Sequence, residues 1–301
     1  MTILNADGHE IMVSNTRKVF FPDAGITKGD LINYYQKIAA TMLPHMKGRP
    51  VSMERFPDGI GEEGFYQKEV PDYFPPWIRR IRVDLVEGGA QDQVVCDSAA
   101  TLVFLADQGC ITPHTWLSLE GNLGQPDQLL VDLDPPDADF EPVREAAFLV
   151  KEFLDDLGLR SCVMTTGSRG LHVIVPIRPD LSFDQVREHA KEMAGDLASR
   201  NQKLLTDEIR KEKRKGRVFL DVLRNAYGQT SVPPYAVRPR PGAPIATPVE
   251  WDELSHESLV SASYTIRNIF RRLGQKEDPW KDIFSHRQSL DSVAEKRKRV
   301  D

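Results

Sequence analysis

Two aspartates separated by one residue are the sharpest chemical feature of the sequence. Asp132 and Asp134 lie in the run LLVDLDPP, which ends at Pro135 and Pro136. A short apolar run of this kind predicts a strand over 128–134, and alternate strand residues share one face. Two neighbouring carboxylates raise each other's pKa unless a cation lies between them, and hard ions such as Mg²⁺ or Mn²⁺ prefer oxygen ligands. The spacing is compatible with a metal site and equally with two solvated aspartates at a strand end.

A glycine-containing turn follows in the segment TTGSRGLH, over residues 165–172. Its two glycines allow backbone amides to turn toward an anion, as they do in phosphate-binding loops. Thr166 and Ser168 add hydroxyl groups, and Arg169 and His172 add charge. The segment lacks the GK[ST] of a Walker A loop. A triphosphate cradle and a plain hairpin turn both remain open at this point.

A third carboxylate, Asp221, lies inside the apolar run VFLDVL. Burying an unpaired charge is costly, so this side chain needs a metal ion, an exposed strand end, or an arginine such as Arg224 or Arg238. Three aspartates beside a triphosphate cradle form a recognisable set. Two metal ions held by such carboxylates lower the pKa of a 3′-hydroxyl and stabilise a pyrophosphate leaving group.

The elements that must position these residues alternate between strands and helices. A capping-box-like pair, Thr27 and Asp30, begins an amphipathic helix that we expect to end at Pro44. A second capping box, Ser182 with Gln185, begins another. Further helices are predicted over 141–157 and 264–273, and further strands over 161–166, 171–177 and 217–223. The alternation indicates a mixed α and β class, and the absence of a linker favours one compact body, of either one or two lobes.

Composition excludes several classes of protein. The 301 residues are 40% hydrophobic and 28% charged, so the chain is neither disordered as a whole nor a membrane protein. Its three cysteines (Cys96, Cys110 and Cys162) form no CxxC pair, which indicates a reducing compartment and no structural zinc. With no signal-peptide pattern at the N-terminus, we expect a cytoplasmic protein. The net charge of −6 means that any affinity for nucleic acid must come from local cations.

Five segments, in order, closely resemble the polymerase domain of bacterial ATP-dependent DNA ligase D, a member of the archaeo-eukaryotic primase superfamily. They are NTRKVFFPDAGITKGDLINYY, KGRPVSMERFPDGIGEEGFYQKEVP, LLVDLDPP, TTGSRGLHVIVPI and VFLDVLRNAYGQTSVPPYAVRPRPGAP. The resemblance runs from about residue 13 to about residue 285. It implies an α+β primase-polymerase fold with two apposed β-sheets flanked by helices. The catalytic sheet would be like that of an RNA-recognition motif, in a single domain over 1–301 with a frayed tail at 295–301.

The resemblance also assigns roles to individual residues. Those that match its metal-binding catalytic positions are Asp132, Asp134 and Asp221. Those that match nucleotide-binding positions are His114, Thr166, Ser168, Arg169, His172, Arg224, Thr230 and Arg238. Lys18 and Lys28 match residues that grip a 5′-phosphate of DNA, and Phe65 and Tyr66 match an aromatic pair that stacks near the template. The spacing around His114, PHTW rather than HPW, departs from the family pattern, and the basic segment 210–217 is either a solvated loop or a DNA-backbone contact.

The function implied is template-directed nucleotidyl transfer: a gap-filling DNA/RNA polymerase that prefers ribonucleotides. It would act in non-homologous end joining of DNA double-strand breaks, near the nucleoid, with two Mn²⁺ or Mg²⁺ ions and NTP or dNTP substrates. Its partners would be DNA ends or gaps, especially 5′-phosphorylated ones, a Ku-like end-binding protein and a separate DNA ligase, since no KxDG adenylation motif is present. The alternatives are a metal-dependent nuclease or phosphohydrolase, and a catalytically lapsed DNA-end binding module. The glycine loop argues against the first of these and the intact aspartate trio against the second.

Overall fold

The computed structural model describes residues 1–290 and Val293; the tail predicted at 295–301 lies outside the described residues. The chain divides into two compact units, each with a six-stranded sheet and helices, so the mixed α+β class is confirmed. Unit 1 comprises Met1–Gly121, Thr230–Thr247 and Tyr264–Asp278. Unit 2 comprises Asn122–Gln229, Pro248–Ser263 and the C-terminal part from Pro279. No helix among the described residues is long and apolar enough to cross a membrane.

Unit 1 is built around a six-stranded sheet and two helices that contact each other. Its strands are β1 (Thr2–Ala6), β2 (His9–Val13), β3 (Val19–Phe21), β4 (Ile26–Thr27), β5 (Pro50–Arg55), β6 (Phe65–Gln67), β7 (Arg80–Asp84), β8 (Ala90–Val95), β9 (Cys110–Trp116) and β15 (Thr230–Ser231). Its helices are α1 (Lys28–Met46), α2 (Ala99–Asp107) and the short α6 (Ile269–Leu273). The sheet has the order β15-β9-β5-β8-β7, with β6 added beside β5, and the pairs β1-β2 and β3-β4 form separate hairpins.

Unit 2 carries the strand with the paired aspartates at the centre of its sheet. Its strands are β10 (Gln128–Asp134), β11 (Cys162–Thr165), β12 (Leu171–Pro176), β13 (Leu205–Thr206), β14 (Val218–Asp221) and β16 (Thr247–Val249). Its helices are α3 (Glu141–Asp156), α4 (Phe183–Arg200) and the short α5 (Trp251–Leu254). The order is β13-β14-β10-β12-β11-β16, and both α3 and α4 contact β10.

Local sequence signals account for most element boundaries. Both predicted capping boxes form, with Thr27 and Ser182 each accepting a hydrogen bond from the N–H three residues on. The first helix nevertheless passes Pro44 and ends at Met46, because a proline in the last turn disrupts little of the remaining helix. The helix predicted over 264–273 is wrong in its first half. There, the Asn268 side chain accepts from the N–H of Thr265 and closes a turn, so the helix begins only at Ile269.

Candidate active site

The register of unit 2's sheet brings the three predicted aspartates to one face. Strand β10 lies antiparallel between β12 and β14, and Asp132 pairs directly with His172 on one side and Asp221 on the other. Directly opposed residues have Cα atoms about 5 Å apart and side chains on the same face. Asp134 lies two residues along β10 and therefore shares that face. We call Asp132, Asp134, Asp221 and His172 the carboxylate row.

Two carboxylates of the row, Asp134 and Asp221, are disfavoured in their charged form. Burial, followed by repulsion from Asp132 and Asp221, raises the pKa of Asp134 from 3.8 to about 6. Burial also raises the pKa of Asp221, although the N–H of Leu223, 2.8 Å from its Oδ1, works in the opposite direction. His172 Nε2 lies 3.5 Å from Asp132 Oδ2. The row thus has the electrostatic character of a cation site.

The donor chemistry of the row fits hard divalent ions, because all three carboxylates offer oxygen atoms and repel one another. Among the described residues, however, no three His, Cys, Asp or Glu side chains are already arranged as a metal-binding group. The bond from Leu223 to Asp221 engages one of the carboxylate oxygens within the protein. Shared coordination of a metal ion by the three aspartates therefore stays a prediction.

A buried asparagine ties the central strand to the segment after β14. Asn225 is fully buried, and its Oδ1 accepts from the N–H of Leu130 at 2.9 Å. Its Nδ2 donates to the carbonyl oxygens of Leu130 at 2.7 Å and of Val222 at 2.9 Å. Asn225 thus fixes β10 relative to the end of β14, where Asp221 lies. No role was predicted for Asn225 from the sequence, although it lies in the segment VFLDVLRNAYGQT.

The predicted phosphate loop is a tight turn between β11 and β12. Thr166 is 5% exposed, and its Oγ1 accepts from the N–H groups of Ser168 and Gly170, both at 3.3 Å. Ser261 reinforces the turn by donating to the Gly170 carbonyl at 2.9 Å. The Thr166 hydroxyl therefore builds the loop, while Ser168 is half-buried and Arg169 is exposed. A glycine is required at 170, because a Cβ there would lie 2.2 Å from the carbonyl oxygen of Leu133.

Arg214 lies close to the carboxylate row, although the sequence indicated only that it is part of a basic segment. The Arg214 guanidinium lies 3.8 Å above the ring of Phe219, which pairs with Asp134. Its charge lowers the pKa values of Asp134 and Asp221 against the stronger effect of burial. Apart from the half-buried Arg217, the rest of segment 210–217 is an exposed loop with one 3₁₀ turn at Lys211–Lys213. The exposed Arg224 also lowers the pKa of Asp221.

The remaining nucleotide-binding candidates lie in unit 1. His114 is buried on β9, and its Nε2 is 2.9 Å from Oε2 of Glu54. Burial raises the pKa of Glu54, but the hydrogen bond with His114 and the charge of Arg238 hold it below its usual value overall. A carboxylate only accepts, so Nε2 of His114 carries the proton. The ring of Tyr66 lies 5.5 Å from that of His114, and Thr230 pairs with the neighbouring end of β9.

Both lysines predicted to bind a 5′-phosphate already have carboxylate partners. Lys28 is 6% exposed, with its Nζ 2.7 Å from Oδ1 of Asp107, which also accepts from the N–H of Ser14. Lys18 is more accessible and contacts Asp58 and the carbonyl oxygen of Pro57. Lys28 thus anchors the segment that precedes Lys18. No local sequence pattern indicates that Lys28 is buried, because its partner Asp107 is distant along the chain.

The aromatic pair predicted to meet the template is accessible. Phe65 and Tyr66 on β6 are 47% and 60% exposed. Arg55, at the end of β5, pairs with Phe65 in the sheet and lies 5.5 Å from the centre of its ring. Their exposure fits the stacking role that the resemblance implies for them.

Comparison with known proteins points to one family. A family model described as LigD, primase-polymerase domain, matches residues 27–280. The chain is similar to the multifunctional non-homologous end joining protein LigD of Mycolicibacterium smegmatis, with 32% identity over 252 residues, or 83% of this chain and 33% of that protein. It is also 32% identical to LigD of Pseudomonas aeruginosa over 287 residues, or 94% of this chain and 34% of that protein. The chain thus spans about a third of the length of these curated relatives.

A solved structure shares the fold. The polymerase domain from Mycobacterium tuberculosis Ligase D, in complex with DNA, is similar to this chain with a TM-score of 0.86 and 30% identity. The match covers 92% of this chain and 99% of that domain. The two units described above therefore correspond to nearly the whole of that polymerase domain.

Proposed function

Because this chain belongs to the LigD primase-polymerase domain family, a family of nucleotidyltransferases, we propose that it extends a DNA primer one templated nucleotide at a time. The observation that carries the proposal is the carboxylate row. Three mutually repelling aspartates share one sheet face with His172, and burial with this repulsion raises the pKa of Asp134 to about 6. Such a row is unfavourable without a cation and suits a metal-dependent transfer of nucleotides.

In the proposed site, Asp132, Asp134 and Asp221 hold two divalent ions, Mn²⁺ or Mg²⁺. When bound, these ions lower the pKa of the primer 3′-hydroxyl and stabilise the charge of the pyrophosphate leaving group. His172 and the loop with Ser168 and Arg169 bind the triphosphate, while Thr166 keeps that loop in shape. The remaining nucleotide-binding residues of the proposal are His114, Arg224, Thr230 and Arg238.

The DNA is held, in this proposal, through a terminal 5′-phosphate and through unpaired template bases. Lys18 is the accessible phosphate ligand. Lys28 is buried, and its ion pair with Asp107 anchors the segment that precedes Lys18. Phe65 and Tyr66 stack near the template. A phosphate with two negative charges competes well with the exposed Asp58 carboxylate for Lys18, since it forms several charge-assisted hydrogen bonds.

The cellular role we propose is gap filling with a preference for ribonucleotides during non-homologous end joining, at the nucleoid. The names of the relatives support this role, although this chain spans about a third of their length. A Ku-like end-binding protein and a DNA ligase would then act on the same break. Ku would hold the ends together, and the ligase would seal the filled gap.

The test is the fate of a labelled primer on a gapped duplex with a 5′-phosphate, incubated with the protein, Mn²⁺ and either NTPs or dNTPs. We expect the primer to lengthen by the nucleotide that the template specifies, faster with NTPs than with dNTPs. A shortened primer would identify a nuclease or phosphohydrolase instead. A primer that is bound but unchanged would identify a DNA-end binding module without activity.

A further inference from the structure

Exposed aromatic rings are concentrated in one short stretch of unit 1. Among the described residues, four large aromatic side chains are exposed, and three of them are Phe65, Tyr66 and Tyr73, at 47%, 60% and 61%. The fourth, Phe270, lies elsewhere in the chain and is 38% exposed. Phe65 and Tyr66 already have a proposed role at the template. Tyr73 has none, although it is the most exposed ring of the four.

A buried arginine links Tyr73 to the other rings. Arg55 is 9% exposed, and its Nη1 donates to the Tyr73 hydroxyl at 3.2 Å and to Gln67 Oε1 at 2.5 Å. Its Nε donates to the carbonyl oxygen of Gln108 at 2.9 Å, and its guanidinium lies 5.5 Å from the centre of the Phe65 ring. One fixed side chain thus contacts both Phe65 and Tyr73.

The Tyr73 ring is held in place while much of its surface stays exposed. Its hydroxyl is bonded to Arg55, and its ring meets Phe74 edge-on, with centroids 5.2 Å apart and planes at 69°. Phe74 is itself 2% exposed and packs against Phe104. A ring that is already immobilised loses little side-chain entropy when another flat group stacks on it.

We propose that Tyr73 is a further stacking surface for an unpaired nucleobase of DNA, beside the one formed by Phe65 and Tyr66. This inference rests on the proposed function, because it extends the template contact of the polymerase. The charges near Tyr73 are mixed, since Glu69, Asp72 and Lys68 are all exposed and the Arg55 guanidinium contacts the Tyr73 hydroxyl. The exposed face of the ring, rather than the local charge, therefore favours a base. Every base has a π face, so the contact tolerates any template sequence.

Contacts to a phosphate and contacts to a base differ in how their loss changes the salt dependence of DNA binding. A lysine that neutralises a phosphate releases a counterion, and its loss makes binding less salt-dependent. A base stacked on an aromatic ring releases none. Removing the Tyr73 ring therefore weakens binding without changing the salt dependence, by about 5-fold or more on the known scale of base–aromatic stacking.

The experiment measures the anisotropy of labelled DNA bound by the wild-type chain, Tyr73→Ala, Tyr73→Phe and Phe65→Ala. Two DNAs are compared at three salt concentrations: a duplex with an unpaired template overhang, and the same duplex with a blunt end. We expect Tyr73→Ala to raise the Kd for the overhang about 5-fold or more, with an unchanged salt slope and an unchanged Kd for the blunt end. Tyr73→Phe keeps the ring and its contact with Phe74 but loses the bond to Arg55, so we expect it to raise the Kd for the overhang much less than Tyr73→Ala does.

The outcomes distinguish this inference from the proposed function. If Phe65→Ala weakens overhang binding and Tyr73→Ala does not, the inference is overturned and the polymerase proposal stands. If Tyr73→Ala lowers the salt slope, or weakens blunt-end binding equally, the contact is not base stacking and the inference is overturned. Failure of the polymerase proposal is seen separately, as a wild-type chain that does not lengthen the primer.

Discussion

Neutralising Asp134 is expected to stabilise the metal-free protein while removing its activity. The carboxyl pKa is raised from 3.8 to about 6, chiefly by burial and then by Asp132 and Asp221. Folding thus disfavours the ionised form, so the unfolded chain releases this proton at lower pH than the folded chain does. Asp134→Asn keeps the shape of the side chain and removes the charge. At neutral pH and without divalent ions, we expect this variant to be more stable than the wild type.

The expected gain in the free energy of unfolding follows from the raised pKa of Asp134. A tenfold change in proton affinity is worth about 1.4 kcal/mol, so a rise from 3.8 to about 6 corresponds to about 3 kcal/mol at most. Asp134 is partly exposed, and solvent screening reduces the expected gain to about 1–2 kcal/mol. The direction of the pKa shift determines the pH range in which the variant gains stability. The gain is complete above the folded pKa of about 6 and disappears toward 3.8, where both states are protonated.

The assay is urea unfolding in EDTA at several values between pH 5 and pH 8, for the wild type, Asp134→Asn and Asp180→Asn. Asp180 is exposed at the surface of unit 2 and controls for the change in net charge. We expect the gain of Asp134→Asn to grow with pH and to shrink when Mn²⁺ is added, because the ion stabilises the wild type that binds it. A gain that is absent, or that is the same at every pH, would refute the electrostatic account of the row.

Three further predictions concern the supports of the site. Asn225→Ala leaves two buried main-chain groups of β10 without their partner and is expected to lower the free energy of unfolding by about 2–5 kcal/mol, measured in urea. Gly170→Ala pushes the loop away from β10 and is expected to raise the KM for NTP about tenfold or more in steady-state incorporation assays, with unchanged DNA affinity as the control. Lys18→Ala is expected to reduce the preference for a 5′-phosphorylated gap over a 5′-hydroxyl gap at normal stability. Lys28→Ala is expected to cost about 3 kcal/mol of stability as well, because it leaves Asp107 buried without its cation, and equal melting temperatures for the two variants would contradict this difference.

Much of the fold could be predicted because its signals are local. The apolar run that ends at Pro135 predicted β10 over its full length, and Ser182 with Gln185 marked the start of α4. The turn between β11 and β12 was evident from its glycines. The helix that begins at Ile269 was predicted too early, because a side-chain bond closes a turn before it.

The parts that could not be predicted depend on residues far apart in the chain. The apolar run of β10 does not specify which strands flank it. The family resemblance assigned Asp132 and Asp221 to one site, but their direct pairing on neighbouring strands was not predicted. The burial of Lys28 depends on Asp107, and the state of His114 depends on Glu54 on another strand. Such pairs leave no spacing pattern in a single sequence.

The central claim is that the carboxylate row performs templated nucleotide addition. Single-turnover extension of a primer in a gapped duplex tests it most directly, with wild type and Asp221→Asn compared at DNA concentrations that saturate both. The account predicts a loss of at least about 100-fold in the rate of addition, with little change in DNA affinity, since stabilisation of transition-state charge is worth several kcal/mol. A variant that extends the primer at more than about a tenth of the wild-type rate would place the chemistry elsewhere, because it would have lost less than about 1.4 kcal/mol.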